Sequence, residues 1–182
     1  MAGNAIGDSG TKELAQTLKN KEFLTLLSLS ENKMTSEGAL ELAECLRDNE
    51  TLSDLFLANN EIESDGAKAI SKALENKKDL RNFDMDNNRF SAEGAAAIAE
   101  VFKFIPVSKI NLVKNNISTN GARAIAESIS QNESLQQIYL SNNNISDEGI
   151  QSIADAVKGN TRLTELFLSY NDLSDTGGLH LT

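Results

Sequence analysis

Tryptophan is absent from this 182-residue chain, and proline, cysteine and histidine occur once each, as Pro106, Cys45 and His180. A lone cysteine excludes an internal disulfide and fits a reducing, cytoplasmic setting. A lone histidine leaves no histidine-based triad to build elsewhere in the chain. With no second histidine and no cysteine cluster, no metal site is expected. Positive charge is scarce, with 17 Lys and Arg against 27 Asp and Glu and a net charge of -10. Nucleic acid and anionic membranes both reward Lys and Arg, so neither is expected as a partner, whereas a basic protein would fit. The plainer reading of the charge is a solvated outer face. Long apolar runs are missing too, so no membrane span is expected, and with no basic start and no apolar run after Met1 no leader is expected either. No Gly-x-x-x-x-Gly-Lys phosphate loop occurs. No acidic pair stands apart for general acid–base work. The expectation is therefore a non-enzymatic chain with no catalytic residues and no cofactor. Four glycosylation sequons, at Asn49, Asn116, Asn132 and Asn144, matter only in a secreted chain and read as by-products of an Asn- and Ser-rich pattern.

What is present is a repeat. The pattern Asn-x-apolar-x-x-x-Gly occurs seven times, with asparagines at 4, 32, 60, 88, 115, 143 and 171 and glycines at 10, 38, 66, 94, 121, 149 and 177. The step is 28 residues except between Asn88 and Asn115, where it is 27. A period of this size means one supersecondary unit stacked many times. Apolar residues stand five and three positions before each asparagine, as in Leu55 and Leu57 or Ile138 and Leu140. Alternation of period two predicts a short strand with one face buried. After each glycine the period changes to i, i+3, i+4 and i+7, as in Ala39, Leu42, Ala43 and Leu46, which predicts a helix. Ser36, Ser64, Ser91, Thr119, Asp147 and Asp175 precede the glycines and are expected to cap these helices. Asn20, Asn49, Asn76, Asn132 and Asn160 mark the helix ends.

Each unit is thus strand, turn, helix, return. Stacking such units right-handedly sets the strands in a parallel sheet with helices outside. A helix is wider than the spacing of strands, so the stack curves into an arc with a sheet-lined concave face and a helical convex face. The expectation is one α/β solenoid domain over 1–182, about six 28-residue repeats plus partial terminal repeats.

The stretch Leu52-x-x-Leu55-x-Leu57-x-x-Asn60-x-Ile62-x-x-x-Gly66-Ala67 resembles a leucine-rich repeat. The length and the full helix make it similar to the ribonuclease-inhibitor-like class, which includes the repeat regions of NOD-like receptors and of Ran GTPase-activating proteins. The resemblance covers essentially the whole chain and implies the leucine-rich repeat horseshoe. It says little of function, because the fold hosts many binding roles. One departure is local: the return Lys103-Phe104-Ile105-Pro106-Val107 is one residue short, and a small dislocation of the stack is expected there.

The asparagine column, Asn32, Asn60, Asn88, Asn115, Asn143 and Asn171, is expected to be a structural ladder. A primary amide offers donors and acceptors together and can satisfy backbone groups of its own and the next repeat. The glycines serve close backbone approach. Cys45 sits at a small, half-buried helix position. His180 lies in an unfinished last repeat.

The strand residues between the buried leucines face the concave side. There Phe56, Tyr139 and Phe167 supply aromatic anchors, with Asp54, Asp84 and Asp86 expected as an acidic cluster between Phe56 and Tyr139, Asn111 in the same column and Tyr170 at the rim. The alternative is that these aromatics simply favour strands and stack on one another. The favoured function is a protein–protein interaction module using the concave face. A Ran-type GTPase-activating regulator and a structural or assembly repeat segment are the alternatives. Neither end shows a distinct cap, so a fragment of a longer array is expected, with monomer and end-to-end oligomer both open.

Overall fold

The computed structural model describes residues 1–19 and 21–179; Asn20 and His180 therefore lie outside the described residues. Helices and strands alternate without exception: α1 (Gly7–Leu18), β1 (Leu26–Ser28), α2 (Ser36–Leu46), β2 (Asp54–Phe56), α3 (Ser64–Leu74), β3 (Asn82–Asp84), α4 (Ala92–Phe102), β4 (Lys109–Asn111), α5 (Ser118–Gln131), β5 (Gln137–Tyr139), α6 (Asp147–Gly159), β6 (Glu165–Phe167) and α7 (Asp175–Leu179). The strands form one parallel sheet in chain order. Every neighbour pairs at the same place in the repeat, so Phe56, Asp84, Asn111, Tyr139 and Phe167 form one row across it. This is the α/β solenoid that the period implies.

The core lies between sheet and helices. Leu55, Leu57, Phe83, Ile110 and Ile138 from the strands meet Leu42, Ile70, Ile98 and Ile125 from the helices, all essentially inaccessible to solvent. The strand column loses cover at the last repeat, where Leu166 and Leu168 are only partly buried. Cys45 is buried more fully than its column suggests, and burial raises its thiol pKa.

The asparagine ladder is regular. Asn60 Nδ2 donates to Leu29 O at 3.0 Å and Leu57 O at 2.9 Å, and its Oδ1 accepts from the backbone N–H of Asn32 and Met34. The amides thus serve their own and the preceding repeat, not the next one. The short step leaves a mark here. The sheet register runs on unbroken from β3 to β4, but Asn115 Oδ1 is buried and has no donor among the described residues. Asn115 Nδ2 still donates to Met85 O and Leu112 O, so only the accepting half of one rung is lost.

The glycines are a matter of space. A Cβ at Gly66 would stand 2.7 Å from Ile62 Cγ2 and 3.0 Å from Ala39 Cβ in the neighbouring helix. The expected caps need correction. Of the six, only Ser91 occupies an N-cap position and accepts from its own helix, from Glu93 N. Thr35 does the same for α2. Ser36 lies inside the first turn, and its Oγ accepts from Glu63 N and Gly66 N of the following repeat. Asp8 treats Thr35 N and Gly38 N likewise, and Asp147 treats Ser174 N. The stack sets each first turn beneath the next one's orphan N–H groups, so these side chains cap their neighbour.

A second amide column runs along the helix-to-strand returns. Asn49, Asn132 and Asn160 each donate to two carbonyls of the preceding helix end or return and accept two N–H groups of their own loop. Asn76 is exposed and does not belong to it. The corresponding place, eleven before Asn88 as Asn49 is before Asn60, is held by Lys77, only 2% exposed.

Candidate functional site

A solenoid spends its apolar residues on the core, so specificity must come from side chains pointing away from it. On the convex side the charges are largely matched between adjacent helices: Lys12 with Glu41, Lys68 with Glu93, Lys103 with Glu127 and Arg123 with Glu148. Exposed pairs of this kind contribute little to stability, because solvent screens them.

The outward side of the sheet is different. Its C-terminal half is organised around Tyr139. Phe167 stacks on one face of the Tyr139 ring, with centroids 4.5 Å apart and planes 5° from parallel. Lys109 Nζ lies 5.0 Å from the centroid of the same ring, a cation–π contact. The Tyr139 hydroxyl donates to Glu165 Oε2 at 3.0 Å, and Gln137 Nε2 donates to Glu165 Oε1 at 2.9 Å. Burial and the neighbouring Glu165 carboxylate raise the Tyr139 pKa. These groups satisfy one another.

The N-terminal half holds Phe56 and the aspartates. Asp54 shares strand β2 with Phe56, so it does not lie between Phe56 and Tyr139; it is taken up by Ser53 Oγ and Asn82 Nδ2. Asp84 and Asp86 do lie between, on and just after β3. Asp84 accepts from Asp86 N at 2.9 Å. Burial raises the pKa of Asp84, with the Asp86 N–H, Asn111 and Lys109 only partly offsetting it. Burial, then the Asp84 charge, raises that of Asp86. Neither carboxylate forms an ion pair among the described residues. Asp86 Oδ1 has no donor there either. Phe56, Asn82, Asp84, Lys109 and Asn111 line a shallow depression in the sheet.

Tyr170 stands at the rim, 84% exposed, in the left-handed backbone region at φ 56. Asn59, Asn87 and Asn142 hold the same left-handed place in their repeats, one before the ladder asparagine. Asparagine tolerates that conformation and tyrosine does so less readily. The aromatic set therefore divides into a Tyr139–Phe167 stack and a separate Phe56, three strands from Tyr139. Lys109 and Glu165 are the partners that a reading of the columns passes over. Lys109 could have been singled out as the one cation in the three outward columns, the positions six, four and two before each ladder asparagine; its place over Tyr139 could not.

No group of three or more His, Cys, Asp or Glu among the described residues could hold a metal ion. No helix among them is long and apolar enough to cross a membrane.

A family model described as Leucine Rich repeat matches residues 20–43, 48–71, 107–126, 131–154 and 159–181. The chain belongs to the leucine-rich repeat family. The longest stretch this family model leaves unmatched, 72–106, contains Lys77 and ends in the shortened return. Among solved structures, that of leiomodin-1 actin-binding site 2 is similar in fold. It is 20% identical, the match covers 93% of this chain and 86% of that chain, and the TM-score is 0.53. At that identity the likeness speaks to fold alone. No curated protein sequence matches the chain.

Proposed function

We propose that this leucine-rich repeat domain is a non-enzymatic protein-recognition module that binds its partner on the concave sheet face. The observation that carries the reading is the contrast between the two faces. Many helix charges form ion pairs with one another, whereas the concave face offers Phe56 and two aspartates with no ion-pair partner among the described residues. Aromatic anchors beside desolvated charge are the usual composition of a binding hot spot. The complete helices of 11 to 14 residues from α2 to α6 favour the ribonuclease-inhibitor-like class. A buried free thiol suits a reducing, cytoplasmic setting.

The test is capture from source lysate by the immobilised chain and by Phe56→Ser/Tyr139→Ser/Phe167→Ser, with circular dichroism to check the fold. A protein retained by the first and lost by the second is expected. An unchanged set of retained proteins from a folded variant would sink the reading. Actin is one candidate to try directly, by co-sedimentation, since the similar leiomodin structure is an actin-binding site.

A further inference from the structure

The three outward columns of the sheet hold four carboxylates, Asp54, Asp84, Asp86 and Glu165, against one cation, Lys109. Two of the four are already used. Ser53 and Asn82 engage Asp54, and Tyr139 and Gln137 engage Glu165. Asp84 and Asp86 form no ion pair among the described residues, with Lys109 and Lys114 offsetting their charge only in part, and the one basic side chain of these columns turns its ammonium onto the Tyr139 ring. A cation on an aromatic ring beside carboxylates is what a basic partner would bring to this surface. In the C-terminal half Lys109 supplies it internally, and Phe167 closes the other face of the same ring. In the N-terminal half no cation lies over a ring, and Phe56 makes no ring contact among the described residues.

We propose that the sheet face takes an extended segment bearing lysine or arginine, whose cation seats against Asp84 and Asp86 with its stem on Phe56. Lys109 is the specificity-determining residue: it occupies the ring face of Tyr139 and repels a second cation there. Charge complementarity selects this occupant. A neutral or acidic segment would leave two desolvated carboxylates uncompensated, which discriminates against it. The proposal rests on the concave-face reading and names the chemistry of the partner.

The experiment measures fluorescence anisotropy of a labelled Arg-Gly-Ser repeat peptide at low salt, with a Gln-Gly-Ser peptide as neutral control. Asp84→Asn/Asp86→Asn is near-isosteric and should weaken binding of the arginine peptide about tenfold, as loss of complementary charge does at interfaces. The convex pair Glu148→Gln/Asp155→Asn removes the same net charge and should change it less than about twofold, because separated surface charges are screened. Lys109→Met should strengthen it about fivefold by removing a like charge next to the seat. Equal losses from the concave and convex pairs, or equal binding of the neutral peptide, would overturn the cationic occupant. An unchanged or weakened Lys109→Met would overturn the role of Lys109. If lysate capture depends on the three aromatics but not on Asp84 and Asp86, the concave face stands as the interface and the cationic partner falls.

Discussion

Replacing Lys77 with asparagine should stabilise the protein. Lys77 occupies the place in the return column where Asn49, Asn132 and Asn160 each make two donor and two acceptor bonds. Its backbone matches theirs, since Lys77 N bonds to Leu74 O as Asn49 N does to Leu46 O. Its ammonium donates to Arg47 O at 3.0 Å and to Asn49 O. It offers no side-chain acceptor to the loop that follows, where Leu80 N reaches only Lys77 O at 3.5 Å. An asparagine would accept from the next loop N–H groups, each such bond contributing about 0.5–1.5 kcal/mol. It would also remove a buried ammonium that no carboxylate pairs, a relief of up to several kcal/mol. Against this stand two charge-assisted bonds of about 1.5–3 kcal/mol each: the one to Arg47 O is given up, and the one to Asn49 O is replaced by a neutral bond of about 0.5–1.5 kcal/mol. The balance favours asparagine by on the order of 1–2 kcal/mol, or roughly 2–8 °C in melting temperature for a chain of this size.

The assay is urea unfolding followed by circular dichroism, for the wild type, Lys77→Asn and Lys77→Met. Methionine leaves Asn49 O without its donor and should unfold before the asparagine variant. A pH arm isolates the charge. Burial holds the Lys77 pKa below its ordinary 10.5. The unfolded chain therefore binds more protons between the folded value and 10.5, and wild-type stability rises with pH through that window. The asparagine variant lacks this gain. An asparagine variant whose urea midpoint is no higher than that of the wild type would refute the reasoning. It would mean that the ammonium's bonds at the C-terminal end of α2 outweigh its desolvation.

The glycine columns give a paired test: Gly66→Ala should cost about 1–3 kcal/mol by overpacking against Ile62 and Ala39. Gly159→Ala, with no atom within 4 Å of the new methyl, should stabilise α6 by about 0.5–1 kcal/mol, and thermal melts distinguish the two. On the ladder, Asn60→Ala strands two donors and two acceptors and should cost about 3–5 kcal/mol. Asn115→Ala should cost less, since Asn115 Oδ1 has no donor to lose; urea midpoints decide. Asp84→Asn should raise the melting temperature at neutral pH. Its folded pKa lies above the ordinary 3.8, so the charged form is what the fold disfavours and that penalty is relieved as pH falls. The two proteins should converge below about pH 4, where the unfolded carboxyl is protonated too.

The chain's own period determined most of this molecule. Alternation of two and then of 3.6 separates strand from helix. A fixed step of 28 residues means that one repeat, once folded, dictates the next. The buried leucines, the amide ladder, the close glycines and the outward row from Phe56 to Phe167 are all consequences of identical units in identical register. Only the tertiary structure decided what happens between non-identical neighbours. Ser36 caps the helix after its own because the next repeat sets its N–H groups over that hydroxyl. Asn115 Oδ1 goes without a donor at the one short step, although the sheet register there is unbroken. Lys77 is buried because a long side chain can reach carbonyls from an asparagine's place. Lys109 chooses the ring of Tyr139 over the carboxylates of Asp84 and Asp86, and so divides the concave face in two. A repeat specifies position and facing, but side chains from adjacent repeats compete for the same partners, and that competition is settled by distance and desolvation in three dimensions.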